Sequence, residues 1–482
     1  MKKFELSERV DSKKVFIIQS SQLEGRLDVD FYKPEILALE YKVRSKASGK
    51  LSKYIAKIAS GSTPSKTEEH KYYTTSELGI PFLRVQNLCV NGEISFTGLK
   101  YINEETHEGL LKRSQVYGGD LLVKITGVGR MAIASVAPEN FIANTNQHMV
   151  VIKPKNISSK YLAQYLNLDL VEKLASRRST GGTRPALDYP ALKSIPIIEN
   201  IDFSKLNDAY LKQKRILKEA NEKLASIDAY LLEKLGVKLP RQEKQLKSRI
   251  FIRNYTEIMQ SRWDSYFHQK HFINFHDELN NSIYPVIDLK NLSKKITSGI
   301  TPKSGGDAYV SSDDGIPFIR SGDINIDGNL DYSNLLYIKE EIHNKEMNSS
   351  KLQKNDLMIA IVGATIGQIG IYLGKDEANI NQAIALVRLK DDLNPFFFKE
   401  LIKSSIGQWN LNHLKRPVAR ANINLEEIST MRLIVPPIEI QDELVEHIQK
   451  IRDEAKKLET EANLVLEKAK QEIEKMILGE TE

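Results

Sequence analysis

The sequence is poor in cysteine: Cys89 is the only one. A single thiol excludes an intramolecular disulfide and a cysteine-built zinc site, which fits a reducing cytoplasm. Long apolar runs are also missing. The N-terminus brings Glu5, Glu8 and Asp11 where a signal peptide needs hydrophobic residues. The most membrane-like stretch, Met358–Gly374, carries no charge, but it is short for a span and is broken by four glycines and Gln368. It reads as buried strands around a turn, and no membrane partner is expected. Charge of one sign is not in large excess either. A net +6 over 482 residues permits a polyanionic partner without demanding one.

Signatures of catalysis are missing as well. No G-x-x-x-x-G-K-[ST] phosphate loop occurs, and the nine histidines show no metal-ligand spacing. "NPFF" (Asn394–Phe397) lacks the second proline of an amino-methyltransferase loop and reads as a helix cap. "GVGRMA" (Gly127–Ala132) reads as a strand turn. Asp28, Asp264, Asp120 and Asp356 lack the D…[DE]-x-K grouping of a nuclease. Neither a catalytic residue nor a metal site is expected in this chain.

What the sequence does have is repetition. "GRLDVDFY" (Gly25–Tyr32) matches "SRWDSYFH" (Ser261–His268), with Asp28 and Asp264 offset by 264 − 28 = 236 residues. "IASGSTP" (Ile58–Pro64) matches "ITSGITP" (Ile296–Pro302), and "GIPFLR" (Gly79–Arg84) matches "GIPFIR" (Gly315–Arg320). "GDLLVKITG" (Gly119–Gly127) and "ANTNQ" (Ala143–Gln147) return as "NDLMIAIVG" (Asn355–Gly363) and "ANINQ" (Ala378–Gln382). Short apolar strands mixed irregularly with capped helices make each copy α+β. After each copy the period changes. Leu206, Tyr210, Leu217, Ala220, Leu224, Ile227 and Leu231 keep heptad spacing, as do Leu444, Ile448, Ile451, Ala455, Leu458, Ala462, Val465 and Ala469. The spacing predicts two long helices paired antiparallel, with the plain alternative that each packs on its own domain. The expected divisions are a domain at 1–202, a spacer helix at 203–243, a second domain at 244–437 and a second spacer helix at 438–482. A first helix of about 33 residues would run roughly 50 Å, about fifteen base pairs of B-DNA.

This order resembles the specificity (S) subunit of type I restriction-modification systems. The carrying motifs are "IASGSTPSK" and "ITSGITPKS", "GIPFLRVQNL" and "GIPFIRSGDI", the "GDLLVKITG" pair, and "LIVPPIEIQDELVEHI" at Leu433–Ile448. The first copy departs from the pattern, lacking the Pro-Pro and the glutamine of "PPIEIQ" before its helix. The resemblance implies two duplicated α/β target recognition domains joined by long antiparallel coiled-coil helices. Each domain would read half of a split site on double-stranded DNA. The helices would dock two methyltransferase (M) subunits, with motor-nuclease (R) subunits joining for cleavage. S-adenosylmethionine would belong to the methyltransferase, ATP and Mg to the motor-nuclease, and no cofactor to this chain. Two rival classes stay open: a DNA-acting enzyme with an unrecognised site, and a duplicated coiled-coil scaffold that binds protein.

Comparing the two copies separates frame from reader. Just after the shared strand, Val85, Gln86 and Asn87 become Ser321, Gly322 and Asp323. Gln and Asn pair with adenine and Asp accepts from cytosine, so Gln86, Asn87, Ser321 and Asp323 are candidate base readers, against the alternative of a drifted surface loop. Arg84 and Arg320 are shared, which points to phosphate or to an internal ion pair. Lys124 and Arg130 face Ala360 and Ile366 and are candidate copy-specific contacts. Asn146, Gln147, Asn381 and Gln382 form a repeated amide pair, either buried or facing bases. The most basic loops offer Arg177, Arg178, Thr183 and Arg184 in one copy and Lys415, Arg416 and Arg420 in the other.

Overall fold

The computed structural model describes residues 11, 14–24, 26–241, 250–259, 262–302, 307–374, 376–416 and 421–480. The chain forms two compact units, Met1–Ile216 with Thr460–Glu482, and Leu217–Glu459. Among the described residues, the helices of eight or more residues are α1 (Pro34–Lys46), α2 (Ser159–Leu166), α3 (Asp169–Arg178), α4 (Ser204–Leu235), α5 (Lys270–Asn280), α6 (Pro395–Lys403), α7 (Ser405–Leu414) and α8 (Ile438–Leu478). The boundary between the units falls within both long helices, α4 and α8. No helix among the described residues is long and apolar enough to cross a membrane.

The first unit has two larger sheets, besides a short antiparallel pairing of Gly49–Lys50 with Pro196–Ile197. In chain order their strands are β1 (Ile55–Ser60), β2 (Tyr73–Thr74), β3 (Ile80–Leu83), β4 (Lys100–Ile102), β5 (Gln115–Tyr117), β6 (Leu121–Lys124), β7 (Ala134–Val136), β8 (Ile142–Thr145) and β9 (Met149–Pro154). One sheet runs β1-β9-β6-β7 and the other β2-β4-β3-β8-β5. The repeated "GIPFLR" is the middle strand of the second sheet, antiparallel to β4 and parallel to β8. Gly79 is required there, because a Cβ would lie 2.6 Å from that of Tyr101. The main core lies between the four-stranded sheet and α1–α3. A smaller one joins the sheets through Leu83, Val116, Leu122, Met149 and Val151.

The second unit repeats this design. Its strands are β10 (Ser293–Ser298), β11 (Tyr309–Val310), β12 (Ile316–Ile319), β13 (Leu336–Ile338), β14 (Lys351–Leu352), β15 (Leu357–Ala360), β16 (Ile369–Ile371), β17 (Ala378–Ile380) and β18 (Ile384–Leu389). They order as β10-β18-β15-β16 and β11-β13-β12-β17-β14, the same topology as the first unit. The uncharged Met358–Gly374 stretch is the antiparallel pair β15–β16 around a turn.

Within each unit the spacer helices run antiparallel. In the first, Lys205 bridges to Glu472 and Gln213 bonds to Asn463. In the second, Lys223 bridges to Glu454 and Tyr230 stacks on His447 at 4.1 Å. Leu206, Ala209, Ala469, Ile473 and Ile477 close the first core, and Leu231, Leu235, Leu444 and Ile448 close the second. The helical stretch Ser159–Arg178 breaks between α2 and α3, where the Asn167 side chain bonds both backbone groups of Ala134.

Candidate nucleic-acid interface

At one end of the four-stranded sheet, β1 and β6 end and β9 begins. Three connections therefore emerge together there: residues 61–65, 125–133 and 146–148. Gly61 packs so closely on the Thr145 carbonyl that a Cβ would sit 1.8 Å from its oxygen, and Gly299 does the same on Ile380 at 1.6 Å. This contact explains the glycine of both "SG-x-T-P" strings. The threonine of each string donates to a glutamine, Thr63 to Gln147 and Thr301 to Gln382.

The connection after α3 joins the same end. Gly127 N–H donates to the Pro185 carbonyl (3.0 Å), Leu187 N–H to Ile125 (2.7 Å), and Thr180 and Ala186 bond each other at 2.8 and 2.7 Å. In the second unit Gly363 donates to Ala421, Ile423 to Ile361, and Arg416 N–H to Asn422. The base of this loop is braced by an arginine the sequence comparison passed over. Arg26 donates to the Arg178 and Ser179 carbonyls (3.1 Å each), and Arg262 to those of Leu414 and Lys415. Asp28 and Asp264 hold these arginines at 2.8 and 2.7 Å. Cations at a helix C-terminus satisfy its last carbonyls. The repeated R-x-D offset was the signal that could have found the brace.

The predicted contact residues divide sharply. Exposed at this end are Gln147, Thr183 and Arg184, and Gln382 is exposed in the second unit. Gln86 is exposed at the turn after β3, and Ser321 is half-buried at the turn after β12. Others are turned inward. Asn87 is fully buried, with its oxygen on Arg84 N–H and its amide on the Ser95 and Thr97 carbonyls. Asp323 does the same for its own turn, accepting from the Arg320 backbone and guanidinium. Arg84 donates to Gly98 (2.8 Å) and Arg320 to Asn334 (3.1 Å). The bond to Asp323 raises the Arg320 pKa further. Both shared arginines make internal contacts, Arg84 with a backbone carbonyl and Arg320 with Asp323 as an ion pair.

Lys124 is 4% exposed and donates to the Val128 carbonyl at 2.8 Å, and burial lowers its pKa. Arg130 is tied to Asp169 and the Asn167 carbonyl. Asn146 is buried and Asn381 half-buried, each folding its turn by accepting from the backbone two residues on. Arg177 and Arg178 are both buried on Glu40. A buried guanidinium paired to a carboxylate is not offered to a phosphate, so this pair belongs to the core. Lys415 is half-buried, and Arg416 is exposed but held by Glu427 at 2.9 Å. Arg420 lies outside the described residues.

The exposed groups here are chiefly polar side chains carried on a braced frame. The class defined is a duplicated, helix-joined binding protein. The chain belongs to the type I restriction modification DNA specificity domain family, whose sequence profile matches residues 52–199 and 284–468. It is a DNA sequence-recognition subunit of the type I kind, a non-catalytic role. The chain is 32% identical over 206 residues to the type I restriction enzyme EcoBI specificity subunit of Escherichia coli, covering 41% of this chain and 42% of that one. It is 20% identical to the EcoKI specificity subunit of Escherichia coli K12, covering 80% and 78%. The HsdS subunit of Thermoanaerobacter tengcongensis is similar at 13% identity and a TM-score of 0.34, covering 89% and 94%.

Proposed function

We propose that the two units read the two halves of a split DNA site, one unit to each half. One observation carries this reading: the same loop end is built twice on an identical frame while its exposed tips differ. Gly61 and Gly299, and the Thr63–Gln147 and Thr301–Gln382 bonds, repeat. Exposed Gln86 and Val128 stand where the second unit exposes Gly322 and Ala364. A common frame with different base-facing groups is what two readers of different sequences require. Thr183, Arg184, Gln86 and Gln147 take the contact role in the first unit, and Ser321, Gln382 and Arg416 in the second.

The spacer helices fix the separation of the half-sites and dock two methyltransferase subunits, with motor-nuclease subunits joining for cleavage. S-adenosylmethionine, ATP and Mg are the cofactors of those partners. The test is a genome-wide map of methylated bases with and without this chain. A two-part motif that disappears on deletion is the expected result, and an unchanged map removes the reading.

A further inference from the structure

A second basic surface lies beside the loop end of the first unit. Lys57 on β1 and Lys153 on β9 sit directly opposite each other in the strand register. Like charges in that position repel and destabilise a sheet. Lys112 and Arg113, on the single turn Lys112–Ser114, line the same depression with Gln115 and Tyr117. Lys57, Lys112 and Arg113 are all exposed. Two carboxylates stand close by: Asp120, 3.3 Å from Lys153, and Glu108, which accepts from the Gln115 amide at 3.2 Å. Four cations against these two leave an excess of positive charge.

The second unit repeats the opposed pair, as Lys295 and Arg388, but neutralises it further. Arg388 is bidentate on Asp356 at 2.8 and 2.7 Å. Its matching turn, Asn348–Ser350, has Asn348 and Ser349 where the first has Lys112 and Arg113. The second unit adds Lys351 where the first has Gln115, but Glu377 lies 3.5 Å from it, so the excess is greater in the first unit.

We infer that Lys57, Lys112, Arg113 and Lys153 form a phosphate-binding saddle that grips the DNA backbone next to the half-site read by the first unit. This rests on the reading that the loop end meets DNA. Lys57 precedes the end of β1 by three residues, about 10 Å along the strand, or about three base pairs of duplex. A backbone leaving the loop end therefore reaches the saddle. Phosphate contacts release counterions and carry no sequence. The saddle thus adds affinity and salt dependence unequally, more to the first half-site than to the second.

The test uses the full chain in complex with the methyltransferase that co-purifies with it, bound to duplex DNA carrying the mapped motif. Binding is followed from about 50 to 200 mM salt. Lys112→Asn with Arg113→Ser installs the residues the second unit already folds with. Its slope of log K against log salt falls by about two, at about 0.9 per phosphate, with base preference unchanged. Asn348→Lys with Ser349→Arg raises the slope by a similar amount. Unchanged slopes with base preference intact overturn the saddle and leave the two-reader function standing. Loss of methyltransferase co-purification in the first variant, with the DNA slope unchanged, also overturns it and assigns the surface to a protein. If the parent complex shows no salt-dependent binding to the duplex, the underlying function fails instead.

Discussion

Glu40 is 4% exposed and takes Arg44, Arg177 and Arg178 on one carboxylate. Removing a charge from such a group strands the others, at a cost of about 3–5 kcal/mol. Glu40→Gln therefore lowers stability by about that much in urea unfolding. Arg184→Ala, at an exposed position, changes stability by less than about 0.5 kcal/mol but weakens binding to duplex DNA. The two effects separate residues that look alike in the sequence. "SRRSTGGTRP" reads as one basic loop, yet its first two arginines are core and its third is surface. The burying partner lies 138 residues from Arg178, so no local pattern could show it. Asn87 and Asp323 failed for the opposite reason: a short polar side chain two residues into a turn is as apt to fold the turn as to face a base.

At the scale of elements, the second unit holds a buried aromatic and histidine cluster around α5 and α7. Phe272 lies within ring contact of His271, Trp409 and His413, and Phe267 stacks on His413 at 4.0 Å. His413 Nε2–H donates to the Phe267 carbonyl at 3.0 Å, so its Nδ1 accepts from His276 Nε2–H at 2.8 Å. His413 must be neutral for this arrangement. Burial and the neighbouring His276 push His413 down to about 3, and burial with nearby Arg432 pushes His276 down to about 4. A base whose folded pKa is depressed contributes fully above its unfolded value near 6.5 and loses that contribution as pH falls below it. The second unit therefore loses stability between about pH 6.5 and 4, by up to about 1.4 kcal/mol per pH unit for each histidine. Unfolding at about pH 7 and pH 5 checks this, with His276→Phe expected to flatten the dependence.

The elements themselves were largely legible. The duplicated strands, the turn between β15 and β16 and the helix pairing follow from apolar periodicity and from comparing the copies, whereas the order of strands within the sheets does not. The helix caps across elements were not. Asp228 of α4 accepts from Ser405 N–H at the start of α7, and Glu474 of α8 from Leu170 N–H at the start of α3. Both acids sit on helix faces rich in Lys and Glu, where one carboxylate is indistinguishable from the next until the packing is known.

At the scale of the whole molecule, duplication is what made the function legible from sequence. Two copies in one chain give an internal comparison, and the shared glycines, strands and R-x-D braces mark the frame. The same comparison cannot separate buried differences from exposed ones. Lys124 against Ala360 differs between copies and yet is a buried contact to Val128. Lys57, Lys112 and Arg113 were passed over because only strand register brings them together. Each unit is proposed to read its own half of the site. The most direct measurement replaces residues 58–200 with the matching segment of another family member and maps methylated bases in the resulting strain. The expected result is a new motif with one half changed and the other half unaltered. A motif altered in both halves, or in neither, contradicts it.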